Sequence, residues 1–212
     1  MLRYKRTEQD YLTFRGNRVS TGRNKIHPYP AMLHPMLVDF LIDKHGISGN
    51  IIFDPFCGSG TTLLRAGMRG FKSYGLDVNP LAILISKAKT QIYSSDLILE
   101  FEDLKRDILE NESPLFFDNT KIDIPDIRNM SYWFSSEATR SLGIIRSALA
   151  KDYKYRDFFV TNFAFVCRDQ SYTRKGEFKR YRITEDKIRK TKDESVYSFV
   201  NKPDRMIHEF LN

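Results

Sequence analysis

The sequence predicts an α/β fold with a doubly wound parallel sheet, and two observations support that prediction. A short apolar segment at 51–53 indicates a first strand, and residues 72–76, which end at Asp77, indicate a second short strand. Each is followed by a stretch in which apolar residues recur at helical spacing, at 61–68 and 80–88. Strands that alternate with helices in this way form parallel pairs joined by helical crossovers.

The chain before the first strand predicts an arm and one helix. Residues 1–30 are polar and basic, which predicts an irregular arm without a helix. Leu33, Met36 and Phe40 then recur at three- and four-residue spacing, which indicates a helix that ends near Gly46.

The second half of the sequence predicts further helices and a basic end. Residues 96–127 begin with an amphipathic pattern, and helical spacing returns at 137–150 and 155–167. Beyond residue 168 the chain is rich in Lys and Arg and shows little apolar periodicity. We therefore expect a basic arm at 1–30, an α/β domain at 31–130 and a helical, basic extension at 131–212.

The composition excludes several protein classes. Hydrophobic residues make up 41% of the 212 residues and charged residues 29%, as in water-soluble globular proteins. No apolar run has the length of a membrane span or the setting of a signal peptide, so we expect a cytoplasmic protein. Cys57 and Cys167 stand far apart, which predicts free thiols and neither a disulfide nor a metal site.

A loop of small residues lies between the first strand and its helix, where open α/β sheets bind ligands. Gly58 and Gly60 permit positive φ angles and a close approach of the backbone to a nucleoside. A third glycine of the dinucleotide fingerprint is replaced by Leu63, and the Lys-Ser or Lys-Thr of a P-loop is missing. The loop that we assign to ligand binding consists of Asp54, Pro55, Phe56, Cys57, Gly58, Ser59, Gly60, Thr61 and Thr62.

Two acidic residues at strand ends indicate which nucleoside this loop binds. Asp54 suits a ligand with an ammonium group. Asp77 ends the second strand, where an acidic side chain accepts hydrogen bonds from ribose hydroxyls. Two acids and two glycines together fit S-adenosylmethionine, and we add Val78 and Asn79 to its site. The simpler alternative is that Asp54 caps a helix and Asp77 a turn.

Two sequence blocks resemble those of the DNA amino-methyltransferases, which methylate cytosine N4 or adenine N6. The first block is His27, Pro28, Tyr29, Pro30 and Ala31. The second is the loop at 54–62 followed by 75–82. The resemblance implies the Rossmann-like S-adenosylmethionine-dependent methyltransferase fold, a duplex DNA substrate and a restriction-modification setting. It also implies that His27, Pro28, Tyr29 and Pro30 close over the methionine end of the cofactor.

One motif of that family is missing from the sequence. Family members carry an Asp-, Asn- or Ser-Pro-Pro-aromatic motif that holds the flipped base, and this sequence contains no Pro-Pro pair. The resemblance therefore implies a cofactor-binding subunit or a truncated half of a site-specific DNA methyltransferase. A second methyltransferase chain would supply the catalytic motif, and no catalytic residue is assigned to this chain.

Two alternative functions remain open at this point. An RNA guanine-N2 methyltransferase is one, because similar Asp-Pro-Phe-Cys-Gly loops occur in such enzymes. The other is a non-catalytic remnant that binds cofactor and nucleic acid.

The basic segment from Arg174 to Lys192 suggests a nucleic-acid-binding surface. Lys and Arg outnumber Asp and Glu in it, and Tyr172, Phe178 and Tyr181 are interleaved with them, which favours contact with a phosphate backbone. A solubilising surface is the alternative. The residues that we assign to DNA contact are Arg174, Lys175, Lys179, Arg180, Arg182, Arg189 and Lys190.

Overall fold

The computed structural model describes residue 14 and residues 22–112, 122–175 and 181–211. The predicted arm at 1–30 lies largely outside the described residues, and Gly22–Lys25 forms a short 3-10 helix that the sequence did not predict. The chain divides into two compact units. The first contains Tyr29–Thr90 and the described residues up to Lys25, and the second contains Ile26–Pro28 and the described residues from Gln91 onward.

The first unit alternates helices and strands. Its elements are α1 (Pro35–His45), β1 (Ile51–Asp54), α2 (Thr61–Met68), β2 (Lys72–Gly75) and α3 (Pro80–Thr90). Strands β1 and β2 are parallel, with Ile51 opposite Lys72 and Asp54 opposite Gly75. The mixed α/β class and the parallel pairing are confirmed. Because the sheet has two strands within the described residues, the doubly wound arrangement stays a prediction.

Local sequence explains why α1 begins and ends where it does. Pro35 occupies the first helical turn, where its missing N–H costs no hydrogen bond. His34 caps the helix, because its Nδ1 accepts a hydrogen bond from the Met36 amide at 3.2 Å. Burial of Val38 and Ile42 against Ala66 of α2 then fixes α1 beside the sheet.

The two faces of the sheet differ in burial. Ile52 packs against the small core formed by α1 and α2. On the opposite face, Ile51, Phe53 and Tyr74 are 56%, 62% and 51% exposed. Parallel sheets usually have both faces covered, so this open apolar face is unusual.

The second unit is helical. Its elements are α4 (Asp96–Glu112), α5 (Met130–Trp133), α6 (Ser136–Ala148), α7 (Arg156–Gln170), α8 (Glu185–Ile188) and α9 (Ser195–Leu211). Helix α9 packs against α4, α6 and α7. Phe158 and Phe159 of α7 are fully buried, and the Phe158 ring lies 5.6 Å from that of Phe210 in α9. This aromatic cluster forms the centre of the unit's core.

Helix α9 corrects the interpretation that the chain beyond residue 168 has little apolar periodicity. Val196, Phe199, Ile207 and Phe210 are buried and recur at helical spacing. Pro203 lies inside the helix, where it removes one backbone hydrogen bond, and this residue hid the pattern. Of the helices described, none is long and apolar enough to span a membrane.

Candidate functional site

The glycine loop connects β1 to α2, and Asp77 after β2 reaches it directly. The Asp77 Oδ2 atom accepts a hydrogen bond from the Gly58 amide at 2.9 Å, and Oδ1 accepts one from the Asn79 amide at 2.8 Å. The structure therefore brings together the two parts of the site that lie 19 residues apart in sequence. Asn79 in turn caps the start of α3, because its Oδ1 accepts a hydrogen bond from the Leu81 amide.

Both loop glycines adopt the predicted positive φ, but for different reasons. Gly58 has φ 50° and Gly60 has φ 80°. A Cβ on Gly60 would lie 2.9 Å from the Ser86 Cα atom, so this position has no room for a side chain. A Cβ on Gly58 would lie 3.4 Å from the Tyr29 ring, which faces the loop. Gly60 thus allows close packing of α3, and Gly58 keeps the loop backbone open.

Asp54 supports the turn at the end of β1. Its Oδ1 accepts a hydrogen bond from the Phe56 amide at 3.1 Å, while the side chain of Phe56 is 87% exposed. Asp77 therefore stabilises a turn, as the simpler alternative predicts. Asp54 also stabilises a turn and does not cap α2, whose N-cap residue is Gly60. A carboxylate oxygen that accepts one amide retains a further lone pair, so this role leaves ligand binding open.

A buried lysine that the sequence analysis missed lies against the loop. Lys89 of α3 is fully buried, and its Nζ donates a hydrogen bond to the Ser59 Oγ at 2.9 Å. Burial lowers the pKa of Lys89 to about 8. The sequence did contain a signal for this residue, because Lys89 lies at helical spacing from the apolar residues Ala82 and Ile85, on the buried face of α3. A lysine on such a face is unusual, since lysine is rarely buried without a partner.

The His-Pro-Tyr-Pro block is divided between the two units. Tyr29 belongs to the first unit, and its hydroxyl accepts a hydrogen bond from the Asn79 Nδ2 at 3.3 Å. His27 and Pro28 belong to the second unit, where His27 is buried with its ring edge-on to Phe165. The structure places Tyr29 at the glycine loop, whereas a cofactor role for His27 stays a prediction.

Comparison with known families identifies this arrangement. Residues 4–88 match the model of a family described as DNA methylase. Through this segment, the chain is similar to the DNA methylase family. The matched range includes the glycine loop, Asp77 and Tyr29.

Several known methyltransferases are similar to parts of this chain. The Type II methyltransferase M.MvaI of Kocuria varians is 34% identical over 185 residues, which is 84% of this chain and 41% of the relative. The Type II methyltransferase M.MjaII of Methanocaldococcus jannaschii is 44% identical over 68 residues, 32% of this chain and 13% of the relative. A tRNA (guanine(10)-N2)-dimethyltransferase of Methanothermobacter thermautotrophicus is 31% identical over 80 residues, 37% of this chain and 23% of the relative.

The chain spans less than half the length of these curated relatives. No solved structure matches it.

The two cysteines of the chain are free thiols, as predicted. Cys57 is buried in the glycine loop, and burial, with smaller contributions from Asp54 and Asp77, raises the pKa of its thiol. Burial raises the pKa of Cys167 to about 12. In the described part of the chain, no group of His, Cys, Asp and Glu residues could hold a metal ion.

The basic segment contains both engaged and exposed cations. The Arg182 Nε donates to the Tyr132 carbonyl at 2.9 Å, its guanidinium lies 4.3 Å from the Tyr132 ring centre, and it pairs with Glu185. Arg189 and Lys190 are exposed. Lys179 and Arg180 lie outside the described residues.

Next to these residues, the second unit has a surface cavity of about 570 Å³. Its basic lining residues are Arg174, Lys175, Lys187 and Lys192, and Asp169 and Glu194 supply negative charge. Lys175 forms an ion pair with Asp169 at 3.2 Å, and the Arg174 guanidinium lies 5.6 Å from the Tyr181 ring centre. The cavity is therefore basic, but part of its charge is already neutralised.

Proposed function

We propose that the chain binds S-adenosylmethionine and forms the cofactor-binding part of a site-specific DNA amino-methyltransferase. The observation that carries the proposal is the Asp77 carboxylate bonded to the Gly58 amide at 2.9 Å. It brings the acid after β2 next to the glycine loop after β1, at the carboxyl ends of the strands, where open α/β sheets bind nucleosides. The match to the DNA methylase family supports the methyltransferase assignment.

The residues of the loop fit the cofactor. Gly58 leaves the backbone open, and the free lone pairs of Asp77 suit the two ribose hydroxyls. Thr61 adds a buried Oγ1 atom that has no hydrogen-bond partner among the described residues. The bound cofactor supplies an activated methyl group, and these side chains would bind and orient it.

The DNA substrate and a second chain are further parts of this proposal. Type II methyltransferases are among the relatives, which supports DNA as the substrate, with cytosine N4 or adenine N6 as the methylated atom. A second methyltransferase chain would carry the Pro-Pro-aromatic motif, because this sequence has no Pro-Pro pair. The open apolar face formed by Ile51, Phe53 and Tyr74 supports a further polypeptide at the sheet.

The proposal also assigns DNA contact to the basic segment. Arg189 and Lys190 are exposed and suit phosphate contacts. Arg182 is the weakest member of the predicted set, because its guanidinium already binds Tyr132 and Glu185.

Two measurements test the proposal in sequence. Calorimetric titration of the 212-residue chain with S-adenosylmethionine is expected to show binding. Labelled methyl transfer to duplex DNA is then measured with the chain alone and with a polypeptide that carries the Pro-Pro-aromatic motif, and transfer is expected only in the mixture. Mass spectrometry of the hydrolysed DNA identifies the methylated base. A chain that binds no S-adenosylmethionine contradicts the proposal at its first step.

The match to a tRNA (guanine(10)-N2)-dimethyltransferase favours RNA methylation as the second candidate. The same transfer assay with transfer RNA in place of duplex DNA distinguishes the two substrates. Cofactor binding without transfer to either substrate, with the second polypeptide present, would favour the non-catalytic remnant.

A further inference from the structure

Lys89 is a fully buried cation in the first unit. Among the described residues, its ammonium group contacts the Ser59 Oγ at 2.9 Å and the Met32 Sδ at 3.8 Å. Neither atom carries a negative charge, and no described carboxylate forms an ion pair with this lysine. A buried ammonium without a counter-ion is unfavourable, so its presence calls for a ligand that supplies the charge.

The position of Lys89 indicates where that ligand would lie. Ser59 stands between the two loop glycines and is itself only 3% exposed. An ammonium group has three donor hydrogens, and Ser59 takes one of them. The Arg23 guanidinium binds the backbone carbonyl of Lys89 at 3.3 Å, which fixes the end of α3 in this place. Met32 Sδ is a weak acceptor for a second donor, so one donor of Lys89 remains without an acceptor among the described residues, beside the glycine loop.

The amino acid end of S-adenosylmethionine carries one carboxylate and one ammonium group. Asp54, at the start of the loop, provides a negative charge that suits the ammonium group. A positive charge near the loop would complement the carboxylate of this end. Lys89 is a cation that contacts the loop at Ser59.

We propose that Lys89 and Ser59 form the subsite for the carboxylate of the cofactor's amino acid end. This inference rests on the proposed cofactor function and adds a residue that no sequence motif of the loop contains. It gives the buried ammonium a counter-ion when the cofactor is bound. Ser59 orients the ammonium group and contributes its own hydroxyl to the carboxylate.

The test removes the negative charge from the ligand and the positive charge from the protein. Calorimetry measures the binding of S-adenosylmethionine and of decarboxylated S-adenosylmethionine to the full chain and to Lys89→Met. For the wild-type chain, loss of the carboxylate is expected to weaken binding about 10- to 100-fold, as for other charged hydrogen bonds. Lys89→Met is expected to weaken the binding of S-adenosylmethionine by a similar factor. The affinity for the decarboxylated ligand is expected to stay unchanged.

Three other results have separate meanings. If Lys89→Met weakens the binding of both ligands equally, the inference is overturned, and the role of Lys89 is to hold Ser59 in place. Equal affinity of the wild-type chain for both ligands would overturn it without any variant, which covers the case in which Lys89→Met does not fold. Failure of the wild-type chain to bind either ligand contradicts the proposed function itself.

Ser59→Ala provides a second, milder variant. It removes the hydroxyl but keeps the ammonium group, so a smaller loss of S-adenosylmethionine affinity than for Lys89→Met is expected. A larger loss for Ser59→Ala than for Lys89→Met would place the carboxylate on Ser59 and contradict the role of Lys89.

Discussion

The two units of the molecule differ in the burial of several phenylalanine side chains. In the first unit, Phe53 and Phe56 are 62% and 87% exposed. In the second unit, Phe158, Phe159 and Phe199 are fully buried. Helices of the second unit cover one another, whereas the first unit exposes apolar residues on one sheet face and in the glycine loop. The comparison indicates that the second unit is organised around its own core and the first around what it binds.

The difference has a physical origin in the sheet. Two strands bury too little surface to be stable alone, and parallel strands need cover on both faces. Ligands or partners that bind the folded form would therefore stabilise the first unit more than the second.

The largest expected effect is on the core of the second unit. Phe158→Ala should reduce the free energy of unfolding by about 3–5 kcal/mol, because it leaves a cavity among packed rings. The matched change Phe53→Ala in the first unit should cost about 0.5 kcal/mol or less, since that ring is largely exposed. Urea denaturation followed by circular dichroism and by the fluorescence of Trp133, the single tryptophan, measures both. Similar losses for the two variants would contradict the comparison.

A second prediction concerns the pH dependence of stability. The folded pKa of Lys89 is about 8, below its ordinary value of 10.5, because burial disfavours the charged form. The buried charge therefore reduces stability below pH 8, and this penalty is relieved as the pH rises from 8 to 10.5. Its side-chain neighbours among the described residues, Ser59 and Met32, do not titrate in this range.

Titration of Lys89 predicts two measurable differences between the wild-type chain and Lys89→Met, one in stability and one in cofactor affinity. Relative to that variant, the wild-type chain should gain up to about 3 kcal/mol of stability across this pH window, as measured by urea denaturation at each pH. Its affinity for S-adenosylmethionine should fall over the same window in comparison with the variant, since the neutral amine cannot pair with a carboxylate. Parallel pH profiles of the two proteins would show that Lys89 does not titrate there.

Asp77→Ala tests the strand-end acid. The change removes the acceptor for the ribose hydroxyls and the hydrogen bond to the Gly58 amide. Cofactor binding should therefore weaken by about 1.5–3 kcal/mol in a calorimetric titration. Asp152→Ala is a suitable control, because Asp152 is exposed in the second unit. A 2′,3′-dideoxy analogue of the cofactor separates the two roles: if Asp77 binds the ribose, this analogue should lose less affinity on Asp77→Ala than the parent.

The smallest expected effect concerns the basic segment. If Arg189 and Lys190 each contact a DNA phosphate, their replacement by Ala should lower the slope of log affinity against log salt by about 0.9 for each contact. Arg182→Ala should leave the slope unchanged, because that side chain binds Tyr132 and Glu185. Fluorescence anisotropy with labelled duplex DNA, measured with the second chain present, provides the slopes. An unchanged slope for Arg189→Ala and Lys190→Ala would assign the segment to solubility.

Local signals explain which parts of the fold were predictable. Helix α2 was predicted from Thr61 to Met68 because its apolar spacing starts directly after Gly60 and ends before Gly70. Helix α9 was missed, since Pro203 and the charges around it disguise a buried face. Its burial depends on packing against α4, α6 and α7, which no local pattern reports.

The site was predictable to a similar extent. The positive φ of Gly58 was expected for a glycine in this loop, and the position of Asp77 after β2 followed from motif spacing. The hydrogen bond between Asp77 and the Gly58 amide was not predicted. Burial of Lys89 and the placement of His27 in the second unit did not, because both depend on contacts between residues distant in sequence. Lys202 illustrates this, since it binds the Ile26 carbonyl beside His27 across 176 positions.

The buried Cys57 makes the accessibility of the glycine loop measurable by chemical modification. The residue is 6% exposed and its thiol lies 3.8 Å from the Gly58 carbonyl oxygen, so alkylation of Cys57 requires a local movement of the loop. The rate of alkylation at Cys57 therefore depends on how accessible the loop makes this thiol. A bound cofactor that holds the loop closed would slow that rate in proportion to the occupied fraction. Mass spectrometry of the alkylated peptide could then follow cofactor occupancy in the unmodified sequence, without an added label.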